Sequence, residues 1–131
     1  MKRLRRKFQA RLASIDPNRL VFVDESGATT AMTRLRGRAP RGARVHATTP
    51  QGHWKMTTIL GAMRRSGVTA AMTIDSPTDS DVFRAYVERI LVPSLRRGDV
   101  VLMDNLSAHK VAGVAERIDA AGAELIYLPP Y

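Results

Sequence analysis

Val100-Val101-Leu102-Met103 runs straight into Asp104-Asn105, with Leu106-Ser107-Ala108-His109-Lys110 behind it. Four apolar residues bounded by turn-forming residues predict a short buried strand. The Asp104 carboxylate then stands at the C-terminal end of that strand, the edge where open α/β sheets collect their chemistry. Leu20-Val21-Phe22-Val23 repeats the arrangement and ends on Asp24-Glu25-Ser26-Gly27. Strands that each end on an aspartate predict a pair of carboxylates at one edge of a sheet. Such a pair repels itself unless it shares a proton or a cation.

The other elements follow outward from these strands. Residues 1–13 predict a helix with Leu4, Phe8 and Leu12 on one face and basic residues between them. Ser14-Ile15-Asp16-Pro17-Asn18 ends it. Trp54 to Met63 and Val68 to Ile74 read as strands joined by a hairpin at Arg64-Arg65-Ser66-Gly67. A helix comes next, with Thr78 or Ser80 as N-cap and an apolar stripe of Val82, Phe83, Tyr86, Val87, Ile90 and Leu91. Pro93 and Gly98 are expected to end it. Beyond the Asp104 strand a second helix is expected from about His109 to Ala121, with Val111, Val114, Ala115 and Ile118 inward and Gly122 just past its end. Ala123 to Leu128 is the last strand. The order β-β-β-α-β-α-β predicts an α/β fold, a ribonuclease H-like mixed sheet with helices on its faces. In that fold the first and fourth strands are neighbours, which brings Asp24 and Asp104 together.

Composition narrows the function. A 131-residue chain that is 44% hydrophobic is one domain with a core. The absence of cysteine excludes disulfides and thiolate metal sites and fits the cytoplasm. No apolar run approaches the roughly 20 residues of a membrane span, and no apolar stretch follows the basic start as it would in a signal peptide. Charge is segregated: residues 1–65 hold 15 Lys and Arg against 3 Asp and Glu, whereas residues 66–131 hold 6 against 9. A basic half predicts a polyanionic partner, nucleic acid before any other. Arg34, Arg36, Arg38, Arg41 and Arg44 crowd a segment punctuated by Gly37, Pro40 and Gly42. This reads as a flexible basic loop that follows a phosphate backbone, against the alternative of a merely solvated loop.

Asp24 and Asp104 together suit Mg²⁺, which keeps several waters and is shared with substrate phosphate. A two-metal arrangement would activate a water and stabilise a leaving oxygen. Glu25 is turned by strand alternation to the opposite side, as a surface or supporting group. His109, about one turn into the loop-to-helix junction, is a candidate for contact with a phosphate or a nucleophilic water. Trp54 reads as a core residue or loop anchor. No Gly-rich loop ends in Gly-Lys-Ser/Thr and no dinucleotide fingerprint is present, which argues against ATP and nicotinamide chemistry. Ser26 and Ser107 lack a nucleophile-elbow context.

Val-Phe-Val-Asp-Glu-Ser-Gly at 21–27, Arg-Gly-Arg-Ala-Pro-Arg-Gly at 36–42, Val-Val-Leu-Met-Asp-Asn-Leu-Ser-Ala-His-Lys at 100–110 and Leu-Ile-Tyr-Leu-Pro-Pro-Tyr at 125–131 resemble a DDE-type transposase. The nearest branch is the bacterial insertion-sequence group related to mariner elements. The resemblance implies a ribonuclease H-like catalytic domain at 18–131, preceded by a basic helical linker at 1–17. It implies Mg²⁺, with Mn²⁺ as a substitute, and metal-dependent DNA cleavage and strand transfer. Its partners would be DNA, as element ends and target, and a second copy in a homodimer. Asp24 would be the first catalytic acid and Asp104 the second, and His109 matches the family's histidine after the second acid. In the family a Ser-Pro-x-x-Asn-Pro-Ile-Glu segment follows Pro-Pro-Tyr and supplies the third acid. These 131 residues stop before it, so the chain is expected to be inactive alone; Glu116, Asp119 and Glu124 precede that position and do not replace it. The family's N-terminal helix-turn-helix is not present either. Two alternatives stand beside this reading: a non-catalytic DNA-binding remnant, and a phospho-acceptor signalling domain, whose all-parallel sheet conflicts with the hairpin at 54–74.

Overall fold

The computed structural model describes residues 2–49 and 51–130. Met1, Pro50 and Tyr131 lie outside them, and with them the first residue of the expected 1–13 helix and the last residue of the 125–131 motif. β1 (Leu20–Thr29), β2 (Met56–Arg64), β3 (Gly67–Ile74), β4 (Val100–Met103) and β5 (Glu124–Tyr127) form one sheet in the order β3-β2-β1-β4-β5. β1, β2 and β3 pair antiparallel, whereas β1 with β4 and β4 with β5 pair parallel. This is the expected ribonuclease H-like mixed sheet. The antiparallel meander removes the phospho-acceptor reading, which requires parallel strands throughout.

The unbroken apolar run of β4 has a plain cause: every residue in it is buried. Val101 and Met103 face one side, against Phe83, Tyr86, Val87, Leu91, Val114 and Ile118. Val100 and Leu102 face the other with Ile126, where Phe8, Leu12 and Ile15 pack on them. A strand that is apolar on both faces needs cover on both. α1 (Lys2–Ala13) supplies the second cover. Leu4 is 51% exposed, so only the C-terminal part of the α1 stripe is used.

The helices depart from expectation in detail. α2 (Ser80–Tyr86) is capped by Asp79, whose Oδ1 accepts the Val82 N–H at 2.8 Å, rather than by Thr78 or Ser80. Such a cap is worth about 1 kcal/mol. Pro93 does not end the helix. The chain widens into a π-helical turn at Val87–Leu91, with the Val92 N–H bonded to the Val87 carbonyl, and continues as α3 (Val92–Ser94). Proline lacks the donor and crowds the carbonyl four residues back, and the wider turn accommodates both defects. The helix expected from His109 is shorter than predicted. Ser107–Lys110 is a 3-10 turn, and α4 (Val114–Ala120) begins only after Gly113, which has φ 92°. That left-handed backbone, open to glycine, separates the two segments. Val114 and Ile118 are buried in α4 as expected, but Ala115 faces solvent. Trp54 lies before the start of β2 and is 56% exposed, so it is not a core residue.

β1 does not stop at Val23. Asp24-Glu25-Ser26-Gly27-Ala28-Thr29 has a turn-like composition, yet β2 holds it extended by pairing from Asp24 with Gly61 through Thr29 with Met56. Tertiary pairing here overrides local preference. Among the described residues no helix is long and apolar enough to cross a membrane.

Candidate active site

The parallel register of β1 and β4 fixes where the two aspartates stand. Leu20, Val21 and Phe22 pair with Val100, Val101 and Leu102. Continued in step, that register sets Asp24 opposite Asp104. Asp24 is not at a strand end, as expected, but inside β1, which runs on to Thr29. β4 stops at Met103. Asp24 therefore lies where β1 loses its neighbour and its edge opens, directly beside the residue that follows β4.

Alternation places Asp24 on the face of Phe22, opposite the buried Val21 and Val23. Asp24 is exposed and the Asp104 side chain is 31% exposed. Gly61, opposite Asp24 in β2, leaves the space beside the carboxylate open; a methyl group there would meet no atom within 4 Å. A glycine inside a strand often marks such an approach, and this was the one local signal that could have added Gly61 to the site. Phe22, Asp24, Ile59, Gly61, Met63 and Val68 help line a shallow cavity of about 370 Å³.

Each carboxylate has one anchored oxygen. Asp24 Oδ1 accepts the Glu25 N–H at 2.8 Å, and Asp104 Oδ1 accepts the Leu106 N–H at 3.2 Å. Among the described residues neither Oδ2 takes a hydrogen bond. Glu25 turns away to the other face, as alternation requires. It is half-buried rather than at the surface, with Oε2 enclosed and unpaired among the described residues.

His109 does come to the site, but not as a group that faces substrate. Its side chain is fully buried, set back from the open cleft where contact with a phosphate or a water was expected. Its Nδ1 lies against Asp104 Oδ1, in contact but off the line of a straight hydrogen bond. The imidazole packs on Phe83 with ring centroids 4.3 Å apart. The His109 carbonyl accepts the Tyr127 hydroxyl at 2.8 Å. Phe83 and Tyr127 were legible only as core and strand residues; no local pattern announces that they hold a histidine.

The remaining candidates fall elsewhere. Arg34, Arg36, Arg38, Arg41 and Arg44 are all exposed, in irregular backbone between β1 and β2. Glu124 pairs level with Val100, at the opposite end of β4 from Asp104. Glu116 and Asp119 are exposed on α4. Among the described residues no three His, Cys, Asp or Glu gather into one metal-binding group.

A sequence profile described as DDE superfamily endonuclease matches residues 19–131. The chain belongs to this family of DDE superfamily endonucleases. Its fold is shared with solved transposase structures. It is similar to the Mos1 strand transfer complex, with a TM-score of 0.72 and 19% identity over 98% of this chain and 40% of that one. A pre-cleavage Mos1 transpososome gives a TM-score of 0.74 at 16% identity, covering 95% of this chain and 40% of that one. The Mos1 mariner paired end complex with Mn gives 0.72 at 17% identity, covering 97% and 40%. The DDE superfamily endonuclease chain thus spans about 40% of the length of these matched chains. A comparison with curated proteins gave no match.

Proposed function

We propose that residues 18–131 form the catalytic unit of a transposase, with residues 1–17 as its basic leading helix, and that the unit serves metal-dependent DNA cleavage and strand transfer. What carries this reading is the parallel register of β1 and β4, which continued in step sets Asp24 level with Asp104, in a DDE-family chain. The donor set supports it. Two carboxylates, each with an Oδ2 that takes no hydrogen bond among the described residues, suit a hard divalent cation that completes its shell with water and phosphate. The Mos1 paired end complexes with Mn and with Mg support the same choice. Asp24 and Asp104 would hold Mg²⁺ or Mn²⁺, which when bound supplies a water of lowered pKa and offsets charge on the phosphate.

The chain's own residues do the rest. The anchored Oδ1 atoms keep both carboxylates turned toward the shared edge. The open strip beside Gly61 leaves room for a sugar-phosphate chain to approach Asp24. Arg34, Arg36, Arg38, Arg41 and Arg44 engage the DNA backbone, which gives affinity without base specificity. The element ends and target are the DNA partners, a homodimer pairs the ends, and a cytoplasmic location fits that substrate.

Titration calorimetry with Mn²⁺ on the 131-residue chain tests the site. Wild type binds, and Asp24→Asn or Asp104→Asn abolishes binding. Equal binding by all three proteins removes the site. Should DNA binding persist without any Mn²⁺ site, the chain is a DNA-binding remnant.

A further inference from the structure

We propose that His109 is a positioning residue for Asp104. Its Nδ1–H holds Oδ1 of the carboxylate, so that Oδ2 stays turned to the open edge of the sheet. The proposal rests on the reading of Asp24 and Asp104 as the metal-holding pair.

Burial is the first argument. A polar ring wholly removed from water costs free energy unless a partner compensates it. Leu or Phe would fill this position against Phe83 without that cost. Among the described residues, the polar side chain that Nδ1 meets is Asp104. Both ring nitrogens are enclosed and neither makes a well-formed hydrogen bond among the described residues, but Nδ1 lies against the Asp104 carboxylate and Nε2 has no such neighbour. A bare lone pair there is cheaper to bury than an N–H, so the proton belongs on Nδ1, where it meets the carboxylate.

The second argument is that the ring is itself fixed. Phe83, fully buried on α2, packs against one face with the planes 31° apart. The His109 N–H donates to the Leu106 carbonyl at 3.1 Å, and its own carbonyl takes the Tyr127 hydroxyl of β5 at 2.8 Å. The helix thus packs against the imidazole, while the strand and the 3-10 turn fix the backbone that carries it. The N–H starts off-line, and hydrogen bonds of catalytic groups commonly straighten when the site is in use.

The third argument is the contrast between the acids. Asp24 Oδ1 is held only by the N–H of the next residue. Asp104 Oδ1 meets both the Leu106 N–H and the buried imidazole. Asp104 follows the last residue of β4 and has no strand pairing to fix it. His109 replaces that lost support, and a carboxylate held this way presents a preordered oxygen to a cation.

Asparagine places an amide nitrogen near the Nδ1 position, whereas glutamine places it near Nε2. His109→Asn is therefore expected to bind Mn²⁺ close to wild type. His109→Gln and His109→Leu are expected to bind about 10-fold to 100-fold more weakly, the usual effect of losing support behind a metal-holding carboxylate. Unfolding midpoints in EDTA should be alike for Asn and Gln, which separates positioning from folding. Long-range ¹H–¹⁵N spectra of wild type in EDTA should show a proton on Nδ1. A ring without a proton on Nδ1 overturns the proposal whatever the folding of the variants. If Asp24→Asn abolishes Mn²⁺ binding while Gln and Leu at 109 bind as wild type does, the proposal falls and the site stands. If Asp24→Asn leaves binding untouched, the site reading fails and the proposal fails with it.

Discussion

Arg64 and Asp99 form a two-pronged ion pair inside the protein, at the end of β4 opposite the Asp24–Asp104 edge. Their side chains are 3% and 4% exposed, and the guanidinium nitrogens reach the two carboxylate oxygens at 3.0 and 2.6 Å. Arg64 also donates to the Ser94 carbonyl at 2.9 Å, and Asp99 accepts the Arg96 N–H at 2.6 Å. The pair ties the end of β2 to the connection between α3 and β4. It therefore helps set the height of β4 beside β1, and with it the level of Asp104.

Removing one partner leaves a buried charge without compensation. Asp99→Asn or Arg64→Leu should each cost about 3 kcal/mol of unfolding free energy, measured by urea titration. The double variant should lose less than the sum of the two, because neither charge then remains unpaired. Additive losses would show that the side chains act independently.

Acid should weaken the same tie. Burial alone pushes the Asp99 carboxyl up, but the Arg64 hydrogen bonds, the Arg96 N–H and both guanidinium charges outweigh it and hold it below the usual carboxylate value. A folded value below the unfolded one gives stability that is complete above the unfolded value of 3.8 and is lost as pH falls toward the folded value. The urea midpoint of wild type should therefore drop through this acid range. Asp99→Asn should remove that part of the pH dependence; an identical slope in both proteins assigns the acid sensitivity to other groups.

Gly61 offers a way to perturb Asp24 without touching it. Directly opposite residues of an antiparallel pair lie about 5 Å apart at Cβ, so Gly61→Lys brings an ammonium within reach of the carboxylate. Mn²⁺ affinity should fall by about fivefold or more through charge competition. Gly61→Ala should bind as wild type does, since a methyl group there meets nothing within 4 Å. Loss of binding in both variants would instead mean that the strip must be free of any side chain.

The arginine loop should reveal itself through salt. Replacing Arg34, Arg36, Arg38, Arg41 and Arg44 with Gln should weaken DNA binding at low salt. The slope of log affinity against log salt should become shallower by about 0.9 for each phosphate that the loop no longer neutralises. An unchanged slope would move the DNA-binding surface to other basic residues, such as those of α1.

The sequence by itself determined the strands, the hairpin and the element order. These are local facts: Val100 to Met103 is apolar at every step, Val82 to Leu91 repeats at helical spacing, and Arg65-Ser66 separates two strand-like runs. Motif order in turn marked Asp24 and Asp104 as the acids to expect. Only the tertiary structure decided how those pieces face one another. β1 runs on to Thr29 because β2 pairs with it, although Asp24-Glu25-Ser26-Gly27 reads locally as a turn. The aspartates stand level because two strands about 80 positions apart settle in one parallel register. His109 looks like an open-site residue in its loop and is buried with its ring packed on Phe83 of α2, while the Tyr127 hydroxyl holds its backbone carbonyl. Arg64 and Asp99 read as two surface charges until folding sets one against the other. Periodicity tells a residue which side of its own element it occupies. The partner on that side belongs to a distant segment, and only packing selects it.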